Sequence, residues 1–410
     1  MDIITIAIYI SIYLGLLSTS FFILTFIADK KTKNIFYNDN ELPKVSVIIP
    51  AYNEEKSIEK TIKSILESNY PNFEVLVIDD GSKDNTLKLA KNLESDKVKV
   101  YSKENGGKAT ALNFGIAKAT GEIIFSMDAD TFVDPESMKR MVRYFKNQKI
   151  MSVTPAMVLY KPKGVLQRIQ HAEYIFGLFL RKVFASLNSV YITPGAFSAY
   201  RKTFFDKYGG YDEGNITEDL EMSLRIQYNG YTTENCPDAP AYTIAPSKFK
   251  ALLIQRVRWY YGLILNSWKY RKIISTKYGD LGAFVLPIGW ISIFFSIFLT
   301  IFIFIRILFD VQKEILFLKS INFNFFGAFH INFYAIERFL FLFFTNPVLL
   351  FLFVFMIFLG VYMKYASKKI KISGMVFNLP LYFILFAILF GFWWIVSIGY
   401  ALFNKKVKWR

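Results

Sequence analysis

The 410-residue chain is 53% hydrophobic and 18% aromatic and carries a formal net charge of +16, with a mean hydropathy of +0.30. One cysteine (Cys236) and two histidines (His171, His330) exclude a disulfide framework and any Cys/His metal centre, so a bound metal has carboxylate ligands. The lysines and arginines are spread along the chain instead of forming one basic block, which points to a protein facing anionic lipid and away from nucleic acid.

Four uncharged runs exceed the roughly 20 residues needed to span a bilayer: Ile3–Ala28, Leu281–Ile305, Phe339–Met363 and Ile372–Asn404. The first lacks a basic leader and a small-residue cleavage site, so it is expected to be an anchor and not a cleaved signal peptide. The predicted organisation is a transmembrane helix over residues 1–28, a globular domain over 43–245, an interface helix within 246–275 and a bundle of about three spans over 281–410. Lys30, Lys31 and Lys33 follow the first run, and Lys364, Lys368, Lys369 and Lys371 follow the third, which puts the globular domain in the cytoplasm of a multi-pass cell-membrane protein. Three C-terminal spans then leave the basic tail Lys405–Arg410 outside, against the same rule. A re-entrant segment early in the last run, near Asn378 and Pro380, is the alternative.

Within the globular part, strand and helix signals alternate. Val45–Pro50 is a short β-branched run of the kind buried in a parallel sheet. Glu54–Asn69 places Ile58, Ile62, Ile65 and Leu66 on one helical face. Glu74–Asp79 is a second strand and Asp84–Leu93 a second helix; Val98–Ser102, a helix over Gly107–Ala119 and Glu122–Asp128 follow. This order predicts an α/β fold with a doubly wound, mainly parallel sheet, and ligands at the carboxyl ends of its strands.

Polar turns lie at those ends. After the first strand, Tyr52 suits stacking on a base, while Glu54 either contacts ligand or caps the following helix. After the second, Asp79 and Asp80 precede Gly81 and either bind a ribose or base edge or close an Asx turn. Asn105-Gly106-Gly107-Lys108 offers backbone N–H groups and a cation to a diphosphate. Asp128-Ala129-Asp130, read as alternate strand residues, puts two carboxylates on one side, where a hard divalent ion or a solvated polar turn would relieve their repulsion.

Taken in order, AYNEE, VIDDGS, NGGKATALN and DAD resemble the inverting nucleotide-sugar glycosyltransferases of family 2, which have a GT-A fold. Further on, Thr217-Glu218-Asp219 and Gln255-Arg256-Val257-Arg258-Trp259 are similar to the TED and Q-x-x-R-W motifs of the membrane-embedded, processive branch of that family. Its members make cellulose, chitin, hyaluronan and poly-N-acetylglucosamine. The resemblance implies that Tyr52, Glu54, Asp79, Asp80, Lys108 and Asp128 hold the nucleotide. It implies that Asp130, with Asp128, binds Mg²⁺ or Mn²⁺, and that Asp219 is the general base. By the same likeness, Gly195 and Glu218 line the donor sugar, and Gln255, Arg258 and Trp259 meet the diphosphate and acceptor on an interface helix. A second amphipathic helix, over 164–187, is expected either in that interface or in the core.

The implied activity is elongation of a β-linked glycan from a UDP-sugar, with UDP-N-acetylglucosamine the first guess, and passage of the product across the membrane. Its partners would be the donor, the growing glycan, membrane lipids and possible small membrane or export proteins. The alternative is transfer of one sugar to a lipid acceptor, because lipid glucosyltransferases share these motifs.

Overall fold

The structure, a computed structural model, describes residues 3–28, 42–320 and 379–403 continuously, with residue 405 and scattered positions between 337 and 364. The third expected span, Lys30, Lys31, Lys33, the basic loop from 365 to 371 and the tail beyond 405 lie outside the continuously described residues.

Helix α1 (Ile3–Ala28) leads to an α/β unit. Strands β1 (Val45–Ala51), β2 (Phe73–Asp79), β3 (Val98–Ser102) and β4 (Ile123–Met127) alternate with helices α2 (Ile58–Leu66), α3 (Thr86–Lys91) and α4 (Lys108–Lys118). These four strands form one parallel half-sheet, with β1 between β2 and β4 and β3 beyond β2. Side chains alternate across it. Val45, Val47, Ile49, Val75 and Val77 face one core with Ile58, Ile62 and Ile65 of α2. Ile48, Leu76 and Ile78 face a second core with Ala111, Leu112 and Ile116 of α4. Each fully buried aliphatic side chain contributes about 1.5–3 kcal/mol, and with both faces covered the strands read as continuous apolar runs instead of alternating ones. Gly115 is required where α4 crosses β1, because a Cβ there would collide with the Ile48 side chain.

Beyond β4 the sheet differs from the mainly parallel expectation. Strands β5 (Phe132–Val133), β6 (Ile150–Leu159), β7 (Phe197–Arg201) and β8 (Thr232–Thr243) extend it to eight strands in the order β3-β2-β1-β4-β7-β6-β8-β5. The β4·β7, β6·β7 and β5·β8 pairs are antiparallel, whereas β6·β8 is parallel. The sheet is therefore mixed. Proline hid this half: Pro155 interrupts β6 and Pro237 and Pro240 interrupt β8, and the register slips between Thr154 and Ala156, where Pro155 lies.

Helices α5 (Ser137–Val142), α6 (Gly164–Ser186), α7 (Lys202–Tyr208), α8 (Glu218–Tyr228) and α9 (Phe249–Lys269) complete the unit. The apolar face expected over 164–187 is not spent on the sheet alone. Ile175, Phe179 and Val183 of α6 pack against Phe22 and Phe26 of α1. Ile169 and Ala172 pack against Tyr382 of a C-terminal helix, Leu379–Leu402, here α11. Between them α10 (Leu286–Ser320) continues a five-residue turn over Leu281–Val285. Among the described residues, two stretches are long and apolar enough to cross a membrane, Tyr9–Ala28 and Leu281–Ser320. The second outruns the expected span Leu281–Ile305: at 1.5 Å per residue its 40 residues extend about 60 Å, and the helix carries past Arg306 and Asp310, which form an i,i+4 ion pair.

Candidate active site

Register sets the site. Pairing of Ala51 with Asp79 and of Asp79 with Ser102 aligns the carboxyl ends of β1, β2 and β3. Antiparallel pairing of Met127 with Phe197 then brings the Pro194-Gly195-Ala196 turn beside the end of β4, and the Asp128 N–H donates to the Ala196 carbonyl at 3.0 Å.

The acidic turn after β2 is fully engaged. Asp79 accepts from Ser102 Oγ at 2.9 Å and from the Ser82 N–H at 3.3 Å, the latter closing an Asx turn. Asp80 accepts from the Gly106 N–H (3.0 Å), the Gly107 N–H (2.7 Å) and Lys103 Nζ (2.6 Å). The Gly-Gly turn thus donates its N–H groups to Asp80, a correction to the expectation that they face a diphosphate. Gly107 adopts φ +93°, which suits glycine. Lys103 gave no signal in the sequence, since one lysine among many exposed ones has no distinguishing pattern.

Tyr52 is 42% exposed at the mouth of this edge. Glu54 does not open α2 directly: it lies one turn earlier, where its carbonyl accepts from the Ser57 and Ile58 N–H groups and its carboxylate from Ser57 Oγ at 2.9 Å.

Charge converges on Lys108, at the start of α4. Its Nζ lies 2.6 Å from Asp128 Oδ1 and 3.1 Å from Glu218 Oε1. Burial disfavours the ammonium, but the carboxylates of Asp128, Glu218 and Asp219 outweigh it and raise its pKa. Strand β4 ends at Met127, so Asp128 and Asp130 occupy a turn and not alternate strand positions. The strand-alternation argument for pairing them therefore fails, and the cation beside Asp128 is Lys108. Among the described residues no group of three or more His, Cys, Asp or Glu side chains forms a ready-made metal centre.

Asp219 opens α8. Its Oδ2 accepts from the Gly195 N–H at 2.9 Å and its Oδ1 from the Leu220 N–H at 2.8 Å, while Thr193 Oγ1 donates to its carbonyl. Burial, then the neighbouring Glu218 charge, push its carboxyl up to about 6, against the pull of Lys108, the Leu220 N–H and Arg258. Gly195 is needed here because a Cβ would stand 2.6 Å from Lys108 Nζ and 3.2 Å from Asp219 Oδ2. A cavity of about 390 Å³ adjoins the cluster, lined by Asn105, Gly106, Gly107, Lys108, Glu213, Asn215 and Glu218 among others.

On α9, steps of three and four put Gln255, Arg258 and Trp259 on one face. Arg258 acts electrostatically on Asp219, and Gln255 Oε1 is buried without a hydrogen bond. The intervening Arg256 is fully buried, and sequence reasoning assigned it no role. Its Nη2 pairs with Glu173 Oε2 of α6 at 2.7 Å, and its guanidinium lies 4.4 Å from the centre of the Trp259 ring and 5.4 Å from that of Trp393 on α11.

The structure thus brings Lys108, Asp128, Gly195, Glu218, Asp219 and Arg258 into one electrostatic cluster. Asp79 and Asp80 hold the adjoining turns in place at the edge of this cluster.

Comparison with known proteins agrees with this architecture. Residues 46–209 match the family profile described as Glycosyl transferase family 2. The chain is 31% identical over 262 residues to Poly-beta-1,6-N-acetyl-D-glucosamine synthase of Staphylococcus aureus, covering 62% of this chain and 63% of that protein. Against the protein of the same name from Staphylococcus epidermidis it is 32% identical over 225 residues, 53% of this chain and 54% of that one. The match thus spans less than two thirds of these relatives' length. Among solved structures, the mannosyltransferase PcManGT from Pyrobaculum calidifontis, in complex with GDP-Man and Mn²⁺, superposes with a TM-score of 0.53 at 23% identity, over 65% of this chain and 74% of that one. At that identity the likeness concerns the fold. The chain carries, over residues 46–209, a family 2 glycosyltransferase domain.

Proposed function

We propose that the chain is an inverting glycosyltransferase that uses a UDP-sugar, in the first instance UDP-N-acetylglucosamine, to elongate a β-linked glycan and pass it across a membrane. The reading rests on one observation above others: Asp219, held by the Gly195 and Leu220 N–H groups, sits beside a partly buried lysine that pairs with two further acids, and burial pushes its carboxyl up to about 6. Desolvation makes that carboxylate a stronger base than an exposed aspartate, and it remains ionised at neutral pH. Asp219 takes the proton of the acceptor hydroxyl. The hydroxyl oxygen bonds to the anomeric carbon from the face opposite UDP, and the carbon–oxygen bond to the diphosphate breaks with its electron pair leaving on UDP. No second acid is needed, because the diphosphate leaves as an anion that Lys108 and Arg258 partly neutralise. Tyr52 would stack on the base and Asp79 and Asp80 would frame the nucleotide, with Glu54 at the same edge. Glu218 and Gly195 would shape the donor-sugar site.

Asp128 and Asp130 supply only hard oxygen donors from one short turn, a set that suits Mg²⁺ or Mn²⁺ when phosphate oxygens complete it. When bound, such an ion adds positive charge against the leaving diphosphate. The packing of α6 and α9 against apolar α1 and α11 supports a catalytic domain seated on a membrane bundle, and the lysines that flank the first and third apolar runs argue for its cytoplasmic side. Trp259 would then present its indole to the acceptor at that boundary.

The test is UDP release by detergent-purified full-length protein with Mg²⁺ or Mn²⁺, offered UDP-glucose, UDP-N-acetylglucosamine, UDP-glucuronate or UDP-galactose, with the product sized. High-molecular-weight, β-N-acetylhexosaminidase-sensitive product from UDP-N-acetylglucosamine supports the proposal. Activity that needs added lipid and stops at one sugar replaces it with glycolipid synthesis, and no UDP release from any donor overturns it.

A further inference from the structure

The face of α9 that carries Gln255, Arg258 and Trp259 does not end there. Steps of three and four continue it through Gly262, Asn266 and Lys269, and each of these three meets the segment Asp212–Glu221 that leads into α8. At Gly262 a Cβ would collide with the Thr217 side chain, so helix and segment touch backbone to side chain. Asn266 is fully buried. Its Nδ2 donates to Thr217 Oγ1 at 3.0 Å and to Asn215 Oδ1 at 3.1 Å, and its Oδ1 accepts from Asn215 Nδ2 at 2.8 Å. One turn on, Lys269 Nζ bridges Asp212 Oδ2 (2.8 Å) and the fully buried Glu221 (2.9 Å), to which Tyr270 OH also donates. Asn215 meanwhile lines the 390 Å³ cavity and accepts the Thr217 N–H, two residues before Asp219.

A buried amide with three of its four hydrogen-bonding capacities satisfied by one segment holds that segment, since breaking the set leaves buried polar groups unmatched. We infer that Asn266 is a positioning residue: it fixes Asn215 and Thr217, and through them Asp219 and the cavity wall, on the helix that carries Arg258 and Trp259. Asn266 is more than three helical turns from Gln255 and touches no reacting group; it acts by holding base and acceptor platform as one body. The inference rests on the reading of Asp219 as the base.

Four full-chain variants test it: Asn266→Ala, Asn215→Ala, their double, and Lys269→Met, whose half-exposed side chain can be changed with little risk to folding. Amide hydrogen exchange over residues 212–221 is compared with exchange in β1 and β2, and UDP release from UDP-N-acetylglucosamine is resolved into kcat and KM. Exchange over 212–221 is expected to quicken about tenfold in Asn266→Ala while β1 and β2 are unchanged. Its kcat falls about tenfold with donor KM within about twofold. The double variant loses no more than the worse single, and Lys269→Met gives the same pattern at smaller size. Unchanged exchange, single losses that multiply, or a raised KM with unaltered kcat overturns the inference. If Asn266→Ala does not fold, Lys269→Met decides by the same measures. Should the wild-type protein release no UDP, the exchange data still judge the clamp, and the functional reading alone fails.

Discussion

Asp219→Asn is expected to stabilise the folded protein above pH 6 while abolishing sugar transfer. The folded carboxyl titrates at about 6 against 3.8 for an ordinary aspartate, and about 1.4 kcal/mol attaches to each pH unit between them. The folded state therefore prefers the protonated form. Below 3.8 the group is neutral in both states and contributes nothing; the penalty grows as pH rises from 3.8 to 6 and is complete above 6, at about 3 kcal/mol. Asparagine removes that penalty but its NH₂ cannot accept one of the two N–H donors, from Gly195 or Leu220, at a cost of about 1 kcal/mol. A net gain of about 1–2 kcal/mol at pH 8 raises Tm by a few degrees. Thermal unfolding of both proteins in the same detergent at pH 4.5 and pH 8 checks this. The Tm gap should open with pH; a gap that is equal at both values, or a variant less stable at pH 8, refutes the burial argument.

Gly195→Ala should displace Lys108 from Asp128 and Glu218, because a Cβ would stand 2.6 Å from its ammonium; kcat is expected to fall about tenfold, with thermal stability nearly intact because the flexible lysine end can move. Lys103→Met removes one of three donors to Asp80 and should loosen the Asn105–Gly107 turn, raising donor KM several-fold with little change in kcat, by UDP-release kinetics. Arg256→Met leaves the largely buried Glu173 without its partner and should destabilise by about 2 kcal/mol in a denaturation series, whereas Arg256→Met with Glu173→Gln recovers much of it. Chelation with EDTA should weaken UDP-sugar binding in calorimetry, and Asp130→Ala should bind equally weakly with or without Mn²⁺.

The parallel half of the fold was legible because β1, β2 and β4 are short, mostly apolar runs bounded by polar turns, and α2 has a clean isoleucine stripe. The antiparallel half was not, because Pro155, Pro237 and Pro240 break the strand signal and only long-range pairing restores it. Carboxylates at strand ends marked the edge where Lys108, Asp128 and Asp219 meet. Their local bonding was hidden: Asp80 finds Lys103 and the Gly-Gly turn 23–27 residues onward, a separation that no spacing rule reports. Asn266 was findable in principle, since it extends the Gln255-Arg258-Trp259 face by two further steps. A lone asparagine in an amphipathic helix names its partners only once the segment from Asp212 to Glu221 is folded against it.

The role of Asp219 as base is decided by UDP release from UDP-N-acetylglucosamine, measured side by side for the wild-type protein and Asp219→Asn with UDP affinity determined on the same samples. The wild type is expected to turn over, the variant to be slower by about three orders of magnitude, and the two to bind UDP with nearly equal affinity. Turnover by the variant at the wild-type rate contradicts that role.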